Sequence, residues 1–512
     1  MVHVIYDQLQ ALPDDSEPWI VDHTPIAVEV SDTQLRTRAV ADSAARTATL
    51  FANGGLRAGT YCVVWLEAPV DILIACAAIS ATGATPIMIS PAMTSSILAA
   101  TLHDVPGIVA IVAADQRFAE CAAVVPDAKH YDWRAVVEEA AGQPPLSKAV
   151  ERGLDEPYIV THTSGTTGVP KLVEYTARSI DYDSKVQALL HWGARLRGYC
   201  GVGVSPVHGR SVVGISAALR RKAPLLFLQN STTEEVERAL KRYRPMYLEA
   251  HPYNFRAWQH LGATGAFKSV RFYATSFDVI HPDTVKALLD GSKYRLALYA
   301  EVYGQSESGA IASRLHLKGL RALRRRHRSK ALPGHPVGSP VPYCKVRILD
   351  EDGNKVSRGT PGRIVVRTPV HISRYLNRKD IAARHYPADG WWDTGDIGIR
   401  SKLGFLTLID RQVDRLSLAP SGIAIEDMLL DKFPEFLELV ILEVDGRLIP
   451  ILSLRDGERL DTVKWADATR EVEHLDPPVV IPDAQFPRTI TGKIRRIELR
   501  DKARHGEIPV SA

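Results

Sequence analysis

Short apolar runs recur along the first three fifths of the chain and alternate with alanine-rich stretches of helical composition. Three such runs are Tyr61–Leu66, Thr85–Ser90 and Gly107–Ala113. A strand that is apolar along its whole length is buried on both faces, as in a parallel sheet covered by helices. The same alternation returns between Gly198 and Tyr303. The pattern therefore predicts two successive α/β subdomains.

The character of the chain changes between Val337 and Leu408. Strand-like segments such as Gly362–Arg367 are joined there by Gly/Asp turns, which favours a small antiparallel, β-barrel-like subdomain. The remainder again mixes strand and helix and predicts a small α+β C-terminal domain. The predicted fold class is α/β, with an N-terminal domain at residues 1–410 and a C-terminal domain at residues 411–512.

Composition places the chain among ordinary globular proteins. Of its 512 residues, 45% are hydrophobic and 24% charged, which excludes disordered and collagen-like classes. Five scattered cysteines without a CxxC pair argue against disulfides or a zinc site and favour a reducing compartment. The first residues lack the basic and apolar regions of a signal peptide, so we expect a cytoplasmic protein.

One stretch, from Ile72 to His103, contains no Asp, Glu, Lys or Arg and invites a membrane interpretation. Gly83, Pro86 and Pro91 interrupt it, together with many Ser and Thr residues. A membrane span needs about 20 consecutive apolar residues. We therefore predict a buried helix followed by a buried strand, and no membrane span.

A loop rich in glycine and hydroxyl groups, THTSGTTGVPK, occupies Thr161–Lys171 directly after an apolar run. Its backbone N–H groups and hydroxyls can wrap phosphate oxygens, and Lys171 adds a positive charge. It is not a Walker A motif, because only two residues separate Gly168 from Lys171. The loop predicts a phosphate-binding site of another kind.

With this loop, the chain resembles the adenylate-forming superfamily of acyl-CoA synthetases, adenylation domains and luciferases. Four further segments resemble the family's motifs in its order, namely Tyr303–Glu307, Trp392–Asp396, Asp410–Asp414 and Phe486–Arg495. The resemblance implies attack of a carboxylate on the α-phosphorus of ATP with release of pyrophosphate, and ATP and Mg²⁺ as cofactors. Positioning and cations that neutralise developing charge assist such steps.

The resemblance also implies roles for individual residues. The catalytic residues would be Lys493, Glu307 and Lys171, with Glu307 also the Mg²⁺ ligand. Tyr303 would stack on adenine, and Asp396 would accept hydrogen bonds from both ribose hydroxyls. The full set implied to bind ATP or AMP is Thr163, Ser164, Gly165, Thr166, Thr167, Gly168, Thr275, Ser276, Tyr303, Gly304, Ser306, Asp396 and Arg411.

The substrate pocket is predicted from fewer signals. The segment Ser205–Val212 carries no acid, which disfavours an α-amino acid substrate, and His208 within it falls near the family's gating position. Val302 resembles the residue that shortens the pocket in aryl-acid activators. Glu249 and His251 share one face of a predicted strand. They either face the pocket and bind an amine or phenol, or form a structural hydrogen-bonded pair.

Three positions between Asp410 and Gly422 depart from the family's pattern. Val413 stands where the hinge residue is usually Asp or Lys. Ser417 and Pro420 replace the lysine and glycine of the loop that approaches the thiol in thioester-forming members. These replacements weaken a plain CoA-ligase interpretation and favour a carrier-protein acceptor or no thiol at all.

Three functions follow. The leading hypothesis is an ATP-dependent ligase of bacterial natural-product biosynthesis, which forms an aryl- or small acyl-adenylate and passes the acyl group to a carrier protein or CoA. The alternative is activation of nitrite and diazotisation of an aryl amine. A non-catalytic AMP-binding scaffold is disfavoured, because Glu307, Asp396 and Lys493 are all present.

The segment Arg314–Lys330 holds eight bases and no acid, so the basic excess of the chain lies there. The spacing of Leu315, Leu320 and Leu323 predicts a short amphipathic helix with a basic face. It is either a solvated surface or an electrostatic docking site for an acidic carrier protein, a CoA phosphate or another anion. Nucleic acid is the least favoured partner.

Overall fold

A computed structural model describes residues 5–163, 169–229, 231–277, 279–318, 334–378, 390–411, 416–455, 457–489 and 493–508. Its strands are β1 (Trp19–Ile20), β2 (Gln34–Leu35), β3 (Tyr61–Trp65), β4 (Thr85–Met88), β5 (Ile108–Ala113), β6 (Lys129–Asp132), β7 (Pro157–His162), β8 (Leu172–Thr176), β9 (Cys200–Gly203), β10 (Leu225–Phe227), β11 (Tyr247–Ala250), β12 (Phe272–Thr275), β13 (Leu298–Gln305), β14 (Gly309–Leu317), β15 (His335–Pro340), β16 (Lys345–Leu349), β17 (Pro361–Arg367), β18 (Arg374–Tyr375), β19 (Trp392–Arg400), β20 (Leu406–Arg411), β21 (Phe436–Val444), β22 (Arg447–Leu454) and β23 (Val479–Val480).

Helices occupy most of the connections between these strands. They are α1 (Ile5–Gln10), α2 (Thr37–Asn53), α3 (Pro69–Ala81), α4 (Ser95–Leu102), α5 (Asp115–Val124), α6 (Trp133–Ala141), α7 (Ala177–Gly193), α8 (Gly209–Arg220), α9 (Thr233–Tyr243), α10 (Pro252–Trp258), α11 (Leu261–Thr264), α12 (Pro282–Gly291), α13 (Gly422–Lys432), α14 (Thr462–Thr469) and α15 (Arg496–Arg504).

The first sheet has the order β18-β8-β7-β4-β3-β5-β6 within the described residues. Its central strands run parallel, and β7–β8 and β8–β18 are antiparallel pairs. Every residue of β3 and β4 is buried, because helices cover both faces. The predicted apolar runs are thus confirmed as the core of a parallel sheet.

Helix α3 and strand β4 account for the uncharged stretch from Ile72 to His103. All residues of α3 are buried, in agreement with the predicted buried helix, and β4 follows it as predicted. Within the described ranges, no helix is both long enough and apolar enough to cross a lipid bilayer.

The second sheet combines a parallel half and an antiparallel half. Strands β1 and β9–β13 form the parallel half, with α7 and α8 on one face and α9–α12 on the other. Strands β14–β17, β19 and β20 are antiparallel, as predicted, but they extend the same sheet through the β14–β15 pair. The predicted α/β fold class is confirmed.

The C-terminal part has its own small sheet, in which β21 and β22 are antiparallel and β23 joins in parallel. Helices α13 and α14 cover one face, where Phe433 stacks on Phe436 at 4.7 Å between ring centroids. Helix α15 covers the other face through Leu499 and Ala503. This part therefore has an apolar core on each side of its sheet.

The predicted amphipathic helix in the basic segment is wrong at its beginning. Arg314 and Leu315 belong to β14, which pairs with β13 as far as Leu317. The side chain of Leu315 is half exposed. Residues 319–330 lie outside the described residues, so the docking interpretation stays a prediction.

Two glycines with the same backbone conformation allow the junction of the second sheet to be tested. Gly338 in β15 and Gly359 have φ values of +93° and +94°, but a Cβ at Gly338 would lie 2.1 Å from the Ser313 carbonyl oxygen. A Cβ at Gly359 would meet nothing within 4 Å. We expect Gly359→Ala to cost the backbone strain alone, about 1–3 kcal/mol, and Gly338→Ala to lower the melting temperature clearly more. Equal melting temperatures would contradict the tight β14–β15 approach.

Candidate active site

A cleft of about 300 Å³ lies between the carboxyl end of β13 and the C-terminal part. The parallel strands β11, β12 and β13 end at this edge, which is where ligands bind in α/β sheets. Six residues predicted from the sequence line the cleft, namely Val302, Tyr303, Gly304, Asp396, Arg411 and Lys493.

Asp396 is the centre of a hydrogen-bond network in this cleft. Its carboxylate is 3% exposed and accepts hydrogen bonds from the Tyr303 hydroxyl at 2.5 Å and from Gln305 Nε2 at 3.0 Å. Arg411 Nε lies 3.7 Å from the other oxygen. Burial raises the pKa of Asp396, whereas Arg411 and Lys493 are among the groups that oppose this. The carboxylate is therefore held at a fixed position beside two cations.

Lys171, at the base of the phosphate loop, is connected to Glu307 through Tyr375. The Thr163 N–H donates to the Lys171 carbonyl at 2.9 Å, and the Lys171 N–H donates to Thr163 Oγ1 at 3.1 Å, which closes the base of the loop. Lys171 Nζ lies 5.3 Å from the centre of the Tyr375 ring, and the Tyr375 hydroxyl donates to Glu307 Oε1 at 2.7 Å. The tip of the loop, Ser164, Gly165, Thr166, Thr167 and Gly168, lies outside the described residues.

Gly304 and Ser306 shape the end of β13. A Cβ at Gly304 would lie 2.4 Å from the Gly309 carbonyl oxygen, so the β13–β14 hairpin requires glycine at this position. The Ser306 carbonyl accepts a hydrogen bond of 2.8 Å from the buried Tyr175 hydroxyl. Both predicted residues thus hold Glu307 in place through backbone geometry.

Thr275 and Ser276, the predicted adenine-side pair, differ in what their hydroxyls do. Thr275 Oγ1 donates to the Ala250 carbonyl at 2.9 Å and is committed to the end of the strand. Ser276 Oγ is buried and has no hydrogen-bond partner. Only Ser276 therefore offers a side-chain hydroxyl to a ligand.

His208 and His251 both contact Phe277, which lines the cleft, whereas their own place in the substrate pocket stays a prediction. Their ring centroids are 6.4 Å apart, and Phe277 is 5.4 Å from the first and 4.5 Å from the second. Burial, and after it Lys493, lowers the pKa of His251 to about 4. Burial lowers the pKa of His208 as well, with smaller effects from neighbouring histidines and Lys493. Both imidazoles are therefore neutral near pH 7.

Of the two alternatives for Glu249 and His251, the structural hydrogen-bonded pair is not formed. Glu249 instead holds Arg210 through a two-bond ion pair of 2.6 and 3.0 Å and accepts 2.7 Å from the Tyr247 hydroxyl. Arg210 also donates to Gln187 Oε1 at 2.5 Å. Burial alone would lower the pKa of Arg210, but Glu249 raises it. A buried, charged group thus lies behind the two histidines.

A histidine connects the two parts of the chain at the cleft. His335 donates to Glu301 Oε1 at 2.6 Å and to Asp427 Oδ2, on α13, at 2.7 Å. A second ion pair across the same boundary joins Arg256 to Glu438. Burial alone would lower the pKa of His335, but Glu301 and Asp427 raise it to about 10.

The sequence of this chain matches a family model described as AMP-binding enzyme over residues 21–376. The chain belongs to the AMP-binding enzyme family. The predicted resemblance to the adenylate-forming superfamily is confirmed by this match.

Curated relatives of this AMP-binding enzyme include two diazotases and a CoA ligase. It is 32% identical to "3-amino-2-hydroxy-4-methoxybenzoate diazotase" of Streptomyces cremeus over 67% of the chain and 61% of that protein. It is 23% identical to "3-aminoavenalumate diazotase" of Streptomyces sp over 62% and 57%. A "Long-chain-fatty-acid--CoA ligase" of Escherichia coli O157:H7 is 30% identical over 33% and 31%. The chain thus covers less than two thirds of each relative's length.

Solved structures confirm the fold over nearly the whole chain. ATP-bound MatB from Rhodopseudomonas palustris has a TM-score of 0.81 at 19% identity and covers 98% of both chains. O-succinylbenzoate Coenzyme A Synthetase (MenE) from Bacillus subtilis, in complex with ATP and magnesium ion, has a TM-score of 0.76 at 17% identity and covers 97% of this chain and 99% of that one.

Four residues at the cleft of this AMP-binding enzyme were not predicted. Tyr375 lies in a two-residue strand that carries no pattern of its own, and Gln305 is the variable position of its motif. Arg210 lies within Ser205–Val212, a segment whose lack of an acid bears on the substrate and whose arginine has no counterpart in the motifs used for the prediction. His335 lies far in sequence from both of its carboxylate partners. Only Arg210, a base among apolar residues, offered a usable signal.

The bridge through His335 predicts a pH-dependent stability. Its folded pKa is raised from about 6.5 to about 10, so its stabilising effect is present below pH 6.5 and disappears as the pH rises through 10. We expect His335→Gln to lower the melting temperature at pH 7 and the difference from wild type to shrink by pH 10. His103→Gln, at an exposed site, is the control. A pH-independent difference would contradict the charged bridge.

Proposed function

We propose that this chain is an ATP-dependent diazotase, which activates nitrite as a mixed anhydride with AMP and transfers the nitroso group to an aryl amine. The observation that carries the proposal is the similarity to two curated diazotases, over 67% and 62% of the chain. We therefore prefer diazotisation, the alternative hypothesis from the sequence, to the leading one, transfer of an acyl group to a thiol.

A polar cluster around Arg210 and Glu249, each two residues from one of the histidines, supports this proposal. Arg210, Glu249 and Tyr247 are joined by short hydrogen bonds, which offsets much of the cost of burying them, and Arg210 also donates to Gln187 Oε1. We propose that this cluster faces the substrate, where it would be a poor surface for a fatty acyl chain. A site with buried polar groups rejects substrates that lack matching polar substituents by large factors. It favours an aromatic ring with amine, hydroxyl or carboxylate groups.

The segment at the thiol-loop position also supports a reaction without a thiol. The backbone N–H of Ser417 donates to Glu443 at 2.5 Å, and its hydroxyl donates to the same carboxylate. The N–H of Leu418 adds a third bond at 3.4 Å. Thioester-forming members have a cationic lysine at this position. This chain has Ser417 instead, which is hydrogen-bonded to the carboxylate of Glu443.

The cleft offers suitable positions for ATP and Mg²⁺. Mg²⁺ is bound by one or two carboxylates with phosphate oxygens and water completing its shell, and Glu307 supplies one carboxylate at the loop end of the cleft. No cluster of three or more His, Cys, Asp and Glu suited to a metal occurs in the described part of the chain. Glu307 would hold the ion together with the phosphates, and the ion would neutralise the charge of the leaving pyrophosphate.

In the first step, a nitrite oxygen bonds to the α-phosphorus of ATP, and the bond from that phosphorus to pyrophosphate breaks. Lys493 neutralises the negative charge that gathers around the α-phosphate, and Asp396 holds the ribose. Lys171, at the base of the phosphate loop, faces the outer phosphates.

We propose that the mobile domain that carries Lys493 begins after Asp410.

In the second step, the aryl amine nitrogen attacks the nitroso nitrogen, and AMP leaves with the oxygen it received from nitrite. Loss of the amine proton gives an N-nitroso amine, which tautomerises to a diazohydroxide. Protonation of its hydroxyl releases water and leaves the diazonium. Each turnover therefore consumes one nitrite and one ATP and yields AMP and pyrophosphate.

An aryl-acid ligase is the second candidate, and Val302 favours it. Val302 lines the cleft next to Tyr303, where a valine shortens the pocket to the length of one aromatic ring. A carboxylate would then attack the α-phosphorus in place of nitrite. Since the cleft machinery is common to both candidates, only the substrate requirement separates them.

An assay of AMP formation tests the two candidates directly. We expect the protein with ATP and Mg²⁺ to release pyrophosphate with nitrite, and to form diazonium when 3-amino-2-hydroxybenzoate is added, detected by coupling to a naphthylamine dye. The control omits ATP, to measure uncatalysed diazotisation. Pyrophosphate release that needs an aryl acid and CoA but no nitrite would overturn the proposal in favour of the ligase.

Lys493→Ala tests the assigned role of the lysine. Removal of the only group proposed to neutralise the α-phosphate should lower the rate of pyrophosphate release by about 10²–10³-fold, while ATP binding measured by calorimetry changes little. Lys502→Ala on α15, a surface lysine of the same part, is the control and should retain full activity. Unchanged pyrophosphate release in Lys493→Ala would refute the role.

A further inference from the structure

His251 is a buried histidine whose ring nitrogen has nothing to bind. Its side chain is 4% exposed, and its Nδ1 has no hydrogen-bond partner. His251 precedes α10 at the N-cap position, but its side chain makes no capping bond. A buried polar atom without a partner costs about 1–3 kcal/mol, so the structure carries this cost beside Phe277, a residue that lines the cleft.

The ring of His251 is fixed in orientation by aromatic neighbours that line the cleft. Tyr253 stacks on it with centroids 5.3 Å apart and planes 13° apart, and Phe277 lies 4.5 Å away. Phe277 itself has a φ of +85°, a conformation that non-glycine residues rarely adopt. The imidazole is thus held in one orientation against two side chains that line the cleft.

A second unpartnered nitrogen lies beside the first. His208 is 6% exposed, its Nε2 has no partner, and its ring centroid is 6.4 Å from that of His251. The third histidine of this row, His162, differs, because its Nε2 accepts the Ser90 N–H at 3.1 Å. Two neutral imidazoles with free nitrogens therefore face the region that Lys493 enters.

These groups match the chemistry of the amine step. When the amine nitrogen bonds to the nitroso nitrogen and AMP departs, the amine must lose a proton. A neutral imidazole beside the reacting atoms can take it, and burial, with a smaller effect from Lys493, lowers the pKa of His251 and keeps it unprotonated until then. Lys493 itself is a poor acceptor, because it is required as a cation.

Resting on the proposed diazotase function, we propose that His251 Nδ1 is the base that takes the amine proton as the N–N bond forms. The proton then returns to the diazohydroxide oxygen, which leaves as water. His208 is the second neutral imidazole of the site, with its ring centroid 6.4 Å from that of His251. The assignment makes His251 a catalytic residue for the second step and dispensable for the first.

Two half-reactions separate this role from a structural one. The first is nitrite-dependent exchange of labelled pyrophosphate into ATP, and the second is diazonium formation from 3-amino-2-hydroxybenzoate. We expect His251→Gln, which keeps the size and polarity but cannot take a proton, to exchange pyrophosphate within about threefold of wild type. Diazonium formation should fall by about 10²–10⁴-fold. Imidazole added to His251→Ala should restore part of the lost rate.

His130→Gln is the control, because His130 is a half-buried histidine of β6, in the other sheet, and interacts with the Val125 carbonyl through Nε2. It should change both half-reactions by the same factor. If His251→Gln lowers both half-reactions equally, or neither, the assignment is overturned. If His208→Gln alone separates them, the base is His208. If wild type shows no nitrite-dependent exchange, the diazotase function itself has failed.

Discussion

The buried carboxylate of Asp396 is the constraint around which the nucleotide cleft is organised. A carboxylate that is 3% exposed requires polar partners, and those of Asp396 come from the end of β13 and from the neighbouring strand β20. Tyr303 and Gln305 supply two of them, and Trp392 in turn holds Gln305 at 3.2 Å. Three separate motifs are thereby fixed relative to one another, and with them the position of Glu307.

Much of the fold was predictable because its signals are local. Strands β3, β4 and β5 are recognisable from their own residues, since each is buried on both faces. The junction of the two halves of the second sheet is different. It depends on the pairing of Ala312 and Ser313 with two residues of β15. The residues of neither strand indicate that the other strand is its partner. A separate barrel-like unit was therefore expected where the sheet is continuous.

The residues of the candidate site also fall into two groups, those that a local motif identifies and those whose partners are distant in sequence. The motif residues Tyr303, Asp396 and Lys493 were found because their order along the chain identifies them, and the structure brings them to one cleft. The surroundings of Glu249 were not found, because Arg210 is distant in sequence and the interaction arises only when α8 packs against β11. Alternation along the strand correctly placed Glu249 and His251 on one face, but it could not show that each has different neighbours.

The ion pairs between the two parts of the chain set how the C-terminal part can move. His335 with Asp427 and Arg256 with Glu438 are satisfied together only in one orientation. Any rotation that withdraws Lys493 from the cleft separates both pairs and leaves His335 with Glu301 alone. The two pairs therefore stabilise the orientation in which Lys493 lies in the cleft, and both must be broken before the C-terminal part can leave it.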